Sequence, residues 1–225
     1  MNRTRAIWAV ALTLAASCGL VWAAQQPTKT PAKPPAAVSA SEKKVEPDFS
    51  QEAFVIEKFR TTVKFENDGT GTRELLVRAR VQNEAGVQQL GQLELGYNSA
   101  SEKLEVDYVR VHKADGTVIT AGPEAVQDLS APVEREAPVY TDFRQKHVTV
   151  PGLRPGETLE YKITTRIHTA LAAGHFWLEY NFIDRMIVLE ESLSVQVPGE
   201  RVVKVKTRPE HKPVTRDTGG LRTYL

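Results

Sequence analysis

His147-Val148-Thr149-Val150-Pro151-Gly152-Leu153-Arg154-Pro155-Gly156-Glu157-Thr158-Leu159-Glu160-Tyr161-Lys162-Ile163-Thr164-Thr165-Arg166-Ile167-His168 is the stretch that decides the fold. Leu159, Tyr161, Ile163, Thr165 and Ile167 alternate with Glu160, Lys162, Thr164, Arg166 and His168. The period is two, that of a β-strand with one face on a core and one in water. Val148 and Val150 repeat the pattern before two Pro-Gly pairs. Pro presets φ and Gly supplies a left-handed backbone, so Pro151 to Glu157 is expected to be a structural corner joining two strands as a hairpin.

The same period runs outward in both directions. Phe54 to Phe65 and Arg73 to Val81 flank Asn67-Asp68-Gly69-Thr70-Gly71 and are expected to pair, with Leu75, Val77, Ala79 and Val81 inward. Leu93, Leu95 and Tyr97 alternate; after Leu104 and Val106 the phase slips to Val109 and Val111, as at a bulge. Ala114-Asp115-Gly116-Thr117 marks a second hairpin returning through Val118 and Ile119. Gly174 to Phe182, Ile187 to Val197 and Arg201 to Val205 read as further strands, and no convincing amphipathic helix intervenes. The expected fold is all-β, a two-sheet antiparallel β-sandwich of eight to ten short strands over residues 49–225. Ala121 to Tyr140, punctuated by Pro123, Pro132 and Pro138, reads as a long loop of the kind that carries function.

Upstream of the domain, Arg3 and Arg5 precede an apolar run from Ala6 to Ala24, the pattern of a signal peptide. Val21-Trp22-Ala23 favours cleavage after Ala23, giving a signal over 1–23 and an exported protein, periplasmic or extracellular. Ala15-Ala16-Ser17-Cys18 is a weak lipobox, so membrane attachment is expected only with lipidation at Cys18. Residues 24–48, with Pro27, Pro31, Pro34, Pro35 and Pro47 among Ala, Lys, Ser and Thr, read as a disordered linker.

Several function classes are excluded at this level. Lys plus Arg number 29 against 28 Asp plus Glu with no basic cluster, so no nucleic-acid partner is indicated. Cys18 is the one cysteine and lies in the signal, which removes a disulfide, a multi-cysteine zinc site and a thiol nucleophile. No Gly-x-Ser-x-Gly elbow occurs, and His112, His147, His168, His175 and His211 are dispersed, so no catalytic set, metal site or cofactor is assigned. The carboxylates of Glu190-Glu191 and of Glu134 and Glu136 lack glycosidase geometry.

The residues singled out as a candidate contact surface are Trp177, Tyr140, Asp142, Phe143 and Arg144. Trp177 falls among polar neighbours Glu179 and Asn181 while Phe176, Leu178, Tyr180 and Phe182 take the core face. An aromatic so placed can anchor a protein partner or stack on a sugar ring. Tyr140 and Phe143 stand beside Asp142 and Arg144 at the end of the Pro-rich loop.

The order of motifs adds a resemblance. Asn67-Asp68-Gly69-Thr70-Gly71, Asp115-Gly116, Ala125-Val126-Gln127-Asp128-Leu129-Ser130-Ala131-Pro132, Tyr140-Thr141-Asp142, Val148 to Glu157, Gly174-His175-Phe176-Trp177 and Val197-Pro198 resemble an uncharacterised family. It is the β-rich domain of unknown function at the N-terminus of exported bacterial proteins that continue into a transglutaminase-like domain. The resemblance implies a non-catalytic module that flanks and positions that downstream domain, its partner in the same chain. The alternative is a module binding cell-envelope peptide or glycan. Gly219-Gly220 before Leu221, Thr223 and Leu225 reads as a strand beginning where the sequence stops, which suits a longer chain. Leu153-x-Pro155-Gly156 before Tyr161 is similar to the tyrosine corner of fibronectin type III sandwiches, but at longer spacing, so Tyr161 is expected to be a core residue.

Overall fold

The computed structural model describes residues 48–130 and 142–225. The expected signal, the linker up to residue 47 and Tyr140 lie outside these residues. In chain order the elements are β1 (Phe54–Phe65), β2 (Gly71–Val81), α1 (Glu84–Leu90), β3 (Gln92–Asn98), β4 (Glu102–His112), β5 (Val118–Thr120), β6 (Val126–Ser130), β7 (Phe143–Thr149), β8 (Thr158–Ile167), β9 (Glu191–Pro198), β10 (Thr215–Thr218) and β11 (Leu221–Tyr224). They form an eight-stranded sheet, β10-β11-β9-β1-β2-β8-β4-β5, and a three-stranded sheet, β3-β7-β6.

The expected β-rich, two-sheet architecture holds, and one core joins the sheets. Val81 of β2, Val109 and Val111 of β4 and Leu159 of β8 pack with Leu93 of β3 and Val148 of β7, all buried. The β1–β2 hairpin forms as expected, from Phe54 opposite Val81 to Phe65 opposite Gly71. Its turn and the β4–β5 turn use one device. In each, the aspartate side chain of Asp-Gly-Thr accepts from the threonine N–H (2.9 Å) and hydroxyl (2.7 Å), at Asp68 and Asp115, and the glycine takes φ of 90° or 85°. The phase slip in β4 is a register shift between Val106 and Tyr108.

The opening stretch is a corner, but not a hairpin. β7 pairs with β3 and β6 in the small sheet, whereas β8 pairs with β2 and β4 in the large one. The chain changes sheets at Pro151–Glu157, where the glycines adopt φ of 61° (Gly152) and 84° (Gly156). The Glu157 side chain, 9% exposed, ties the corner together. It accepts from Lys113 Nζ and the Arg154 N–H, both at 2.9 Å, and Lys113 also donates to the Gly152 carbonyl. A hydrogen-bonded pair with so little solvent competition fixes one geometry for the crossing.

Further differences follow from long-range pairing. β9 runs parallel to β1, Phe59 opposite Glu191 to Lys64 opposite Gln196, so the large sheet is mixed rather than antiparallel. Parallel neighbours need a long crossover, supplied by 168–190. That connection is mostly irregular: the expected strand Gly174 to Phe182 does not form, and the bonds at its start and just past its end lead away from either sheet's ladders. Gly174 N–H reaches the Asp68 carbonyl (2.9 Å), and Ile183 N–H reaches the Glu191 carboxylate (3.0 Å). Ile187 to Glu190 meets β1 across a β1 bulge, through the Ile56–Val188 bridge, and strand geometry begins only at Glu191. Arg201 to Val205 is also no strand, with Val202 94% exposed. The loop from Ala121 contains β6, an edge strand with four exposed residues and hence no alternation to betray it. The short α1 was not expected; Asn83 caps it, accepting from Gly86 N–H at 3.3 Å. The strand at Leu221 forms as expected, between β10 and β9.

Candidate functional site

The residues singled out from sequence fall on two elements. Trp177 lies on the irregular 168–190 connection and is 61% exposed. Its Phe176 neighbour stacks on Phe65 (4.4 Å between centroids), while Leu178 and Phe182, expected in the core, are exposed. Asp142, Phe143 and Arg144 lead into and begin β7. The Asp142 carbonyl accepts from the N–H (2.7 Å) and hydroxyl (2.8 Å) of Ser99, and the Phe143 ring lies over Gly96, where a Cβ would come within 2.5 Å of it. Gly96 is thus required by close approach rather than by backbone angle.

Arg144 belongs to a structural cluster. Its Nε and Lys146 Nζ donate to the Asp128 carboxylate at 2.9 and 2.8 Å, and Tyr97 Oη donates to it at 2.8 Å. Burial pushes the Asp128 carboxyl up, but the hydrogen bonds from Lys146, Tyr97 and Arg144 outweigh it and hold the group down at about 2. The cluster clamps β6 onto β7 and β3.

The outer face of the large sheet is likewise occupied by its own charges. Arg78 donates to Glu57 (2.9 Å) and Glu160 (3.2 Å), and Lys162 pairs with Glu74 (3.2 Å) across the strands. His112 Nε2 is buried 3.5 Å from Glu160, without hydrogen-bond geometry. Tyr161 packs at the junction of three core clusters, and burial pushes its hydroxyl up to about 12, in keeping with its expected core role.

One concave feature is a groove of about 330 Å³ on the inner face of the large sheet. Its floor is Phe59, Thr61, Leu75, Leu104, Ile163 and Thr165, with Arg73 beside them. One wall is β3 at Glu94, Leu95 and Gly96; the other is the connection at Leu178, Glu179 and Tyr180. Tyr180 is fixed by donating to Glu191 Oε1 (2.8 Å). Burial, then that bond, pushes its hydroxyl up to about 12. Arg73 is partly neutralised by Glu102 at 3.8 Å. Glu94 and Glu179 have no ion pair among the described residues. Sequence reasoning missed this groove: alternation marks Glu94 as outward-facing, but nothing local reveals that β3 is an edge strand facing a gap.

Among the described residues no group of three or more His, Cys, Asp or Glu could hold a metal ion, and no helix is long and apolar enough to cross a membrane.

The sequence pattern of DUF3857, described as a domain of unknown function with a solved structure, matches residues 67–225. The chain belongs to the DUF3857 family. No curated protein matches it. Among solved structures, this DUF3857 domain is similar to a protein titled "putative protease" from Parabacteroides distasonis ATCC 8503. The TM-score is 0.57 at 14% identity, over 76% of this chain and 34% of that one. The likeness is one of fold, and this chain spans about a third of that protein's length. An M1 zinc metallopeptidase from Deinococcus radiodurans aligns at TM-score 0.38 and 13% identity, over 77% of this chain and 38% of that one. The CBM3a-L domain of scaffoldin cipA from Clostridium thermocellum aligns at 0.31 and 10%, over 51% and 68%. These two are too distant in shape to bear on function.

Proposed function

We propose that this DUF3857 domain is a non-catalytic, exported module that flanks and positions a transglutaminase- or protease-like domain following it in the same protein. The observation that carries the reading is the apolar surface of the 168–190 connection. Leu171 (78% exposed), Trp177, Leu178, Phe182, Met186 and Leu189 all present side chains to solvent along one segment. Solvated surfaces rarely concentrate large apolar groups in this way unless a partner covers them. Export rests on Arg3, Arg5 and the apolar run from Ala6 to Ala24. The test is association in trans: this chain against a separately produced domain encoded downstream of Leu225. Paired Trp177→Ala and Leu189→Asp substitutions are expected to weaken binding at least tenfold with the circular dichroism spectrum unchanged. A coding sequence that holds no Cys-His-Asp domain there, or binding indifferent to both substitutions, would sink the reading.

The exposure of Trp177 also favours a second reading, a module for cell-envelope glycan or peptide, because an indole face is a stacking platform. Retention on peptidoglycan that Trp177→Ala abolishes would move the assignment there.

A further inference from the structure

We infer that the groove between β3 and the Leu178–Tyr180 segment binds an extended peptide of alternating apolar and basic residues, which adds to the small sheet as a fourth strand beside β3. This goes beyond the positioning role and needs no neighbouring domain.

The open edge of β3 is the first ground. Ser99 N–H donates to the Asp142 carbonyl (2.7 Å) one step past one end of the β3–β7 register, and Val150 N–H donates to the Gly91 carbonyl (2.9 Å) one step past the other. In an antiparallel pair only every second residue exchanges bonds with its partner. The odd residues of β3 therefore face β7, and Gln92, Glu94, Gly96 and Asn98 direct N–H and C=O away from it. Asn98 N–H is taken by the Glu102 carboxylate at 3.3 Å. The main-chain groups of Glu94 and Gly96 have no such partner among the described residues, and both residues line the groove. Unpaired edges are normally blunted by a bulge, a proline or a covering element; β3 has no register shift against β7 and contains no proline. A free donor and acceptor at two alternate positions is what β-strand addition uses.

The space and the charge select the occupant. A volume of about 330 Å³ lies at the lower end of ligand sites and suits roughly three extended residues, about 10 Å of chain. Side chains of an added strand alternate between the two faces of the small sheet. Those turned to the large sheet meet Phe59, Leu75, Leu104 and Ile163, which favours Leu, Val or Ile. The others pass between Glu94 and Glu179, two carboxylates on opposite walls with no cation of their own, while Arg73 is paired with Glu102. Net negative walls over an apolar floor select Lys or Arg at the intervening positions.

The experiment titrates the purified chain with fluorescently labelled, terminally blocked Leu-Lys-Leu-Lys-Leu, with Leu-Glu-Leu-Glu-Leu, and with the lysine peptide N-methylated at alternate residues in either phase. The lysine peptide is expected to bind at least tenfold more tightly than the glutamate peptide, and N-methylation in one phase but not the other should abolish binding. Glu94→Pro removes an edge donor and a charge while leaving the β3–β7 bonds intact, and should cost at least tenfold. Should that variant misfold by circular dichroism, Glu94→Gln with Glu179→Gln keeps the edge and is expected to remove most of the lysine-over-glutamate preference. Equal binding of both N-methylated forms, no charge preference, or binding only to a polysaccharide would overturn the proposal. The two readings share Leu178, but the substitutions that test them, Glu94 and Glu179 here against Trp177 and Leu189 there, differ, so this proposal and the positioning role fail separately.

Discussion

Arg144 shows how a residue assigned to a contact surface can be claimed by the fold instead. Arg144 was a candidate contact residue because it stands at the end of a long loop, yet its guanidinium is spent on Asp128 together with Lys146 and Tyr97. The pairing has a pH signature. The Asp128 carboxyl is held near 2 in the folded protein against an ordinary 3.8, so it favours folding above the ordinary value. That contribution fades as pH falls from about 4 through about 2. Taken whole the shift is worth about 2 kcal/mol. Screening at a carboxylate 33% exposed reduces it to about 1 kcal/mol. Denaturant titrations of the wild type and Asp128→Asn are therefore expected to differ by about 1 kcal/mol near neutral pH and to converge toward pH 2. A gap that stays constant with pH would show that the cluster adds nothing through charge.

Among the elements, what was legible from sequence was what is set locally. The β1–β2 and β4–β5 hairpins announce themselves through Asp-Gly-Thr, and the bulge in β4 through a slip in apolar phase. The Pro-Gly corner announced a change of direction but not its destination, since Val148 and Leu159 alternate alike whether their strands pair or face each other across a core. Gly174 to Phe182 carries a strand's alternation and is none: it enters neither sheet, Gly174 at its start bonds to the Asp68 carbonyl, and Glu191 takes the Ile183 N–H just past its end. The candidate groove was illegible for the same reason: its two walls are about eighty residues apart in sequence, and only the sheet order reveals one of them as an edge.

The two Asp-Gly-Thr turns form an internal control at the same scale. Gly69 and Gly116 have nearly equal φ, 90° and 85°, so the strain of an alanine is shared, about 1 kcal/mol. Their surroundings differ. A Cβ at Gly116 meets nothing within 4 Å, whereas at Gly69 it would stand 2.4 Å from the His175 carbonyl and 2.8 Å from Ala170. Gly69→Ala is expected to cost at least about 1 kcal/mol more than Gly116→Ala in thermal or urea unfolding, because it also lifts the connection off the β1–β2 turn. Equal losses would mean that the connection does not rest on that turn.

At the scale of the molecule, the connection is also where the fold divides. β9, β11 and β10 join the rest of the large sheet through one parallel ladder, Phe59–Lys64 against Glu191–Gln196, and through the cluster of Val63, Phe65 and Val197. The backbone between Trp177 and Arg185 forms no strand, and the Arg185 side chain is 94% exposed. A cut there severs the chain without breaking a sheet bond. With a protease site inserted after Arg185, cleavage of the folded protein is expected to leave both pieces co-eluting in size-exclusion chromatography. Denaturation then becomes a dissociation, so its midpoint should rise with protein concentration, which it does not in the uncut chain. Val63→Asp buries a carboxylate under that ladder, at a side chain now 1% exposed, and the cut pieces of this variant should separate. Pieces that part at once in the wild type would show that covalent continuity through the connection, rather than the β1–β9 ladder, holds the C-terminal strands in the sheet.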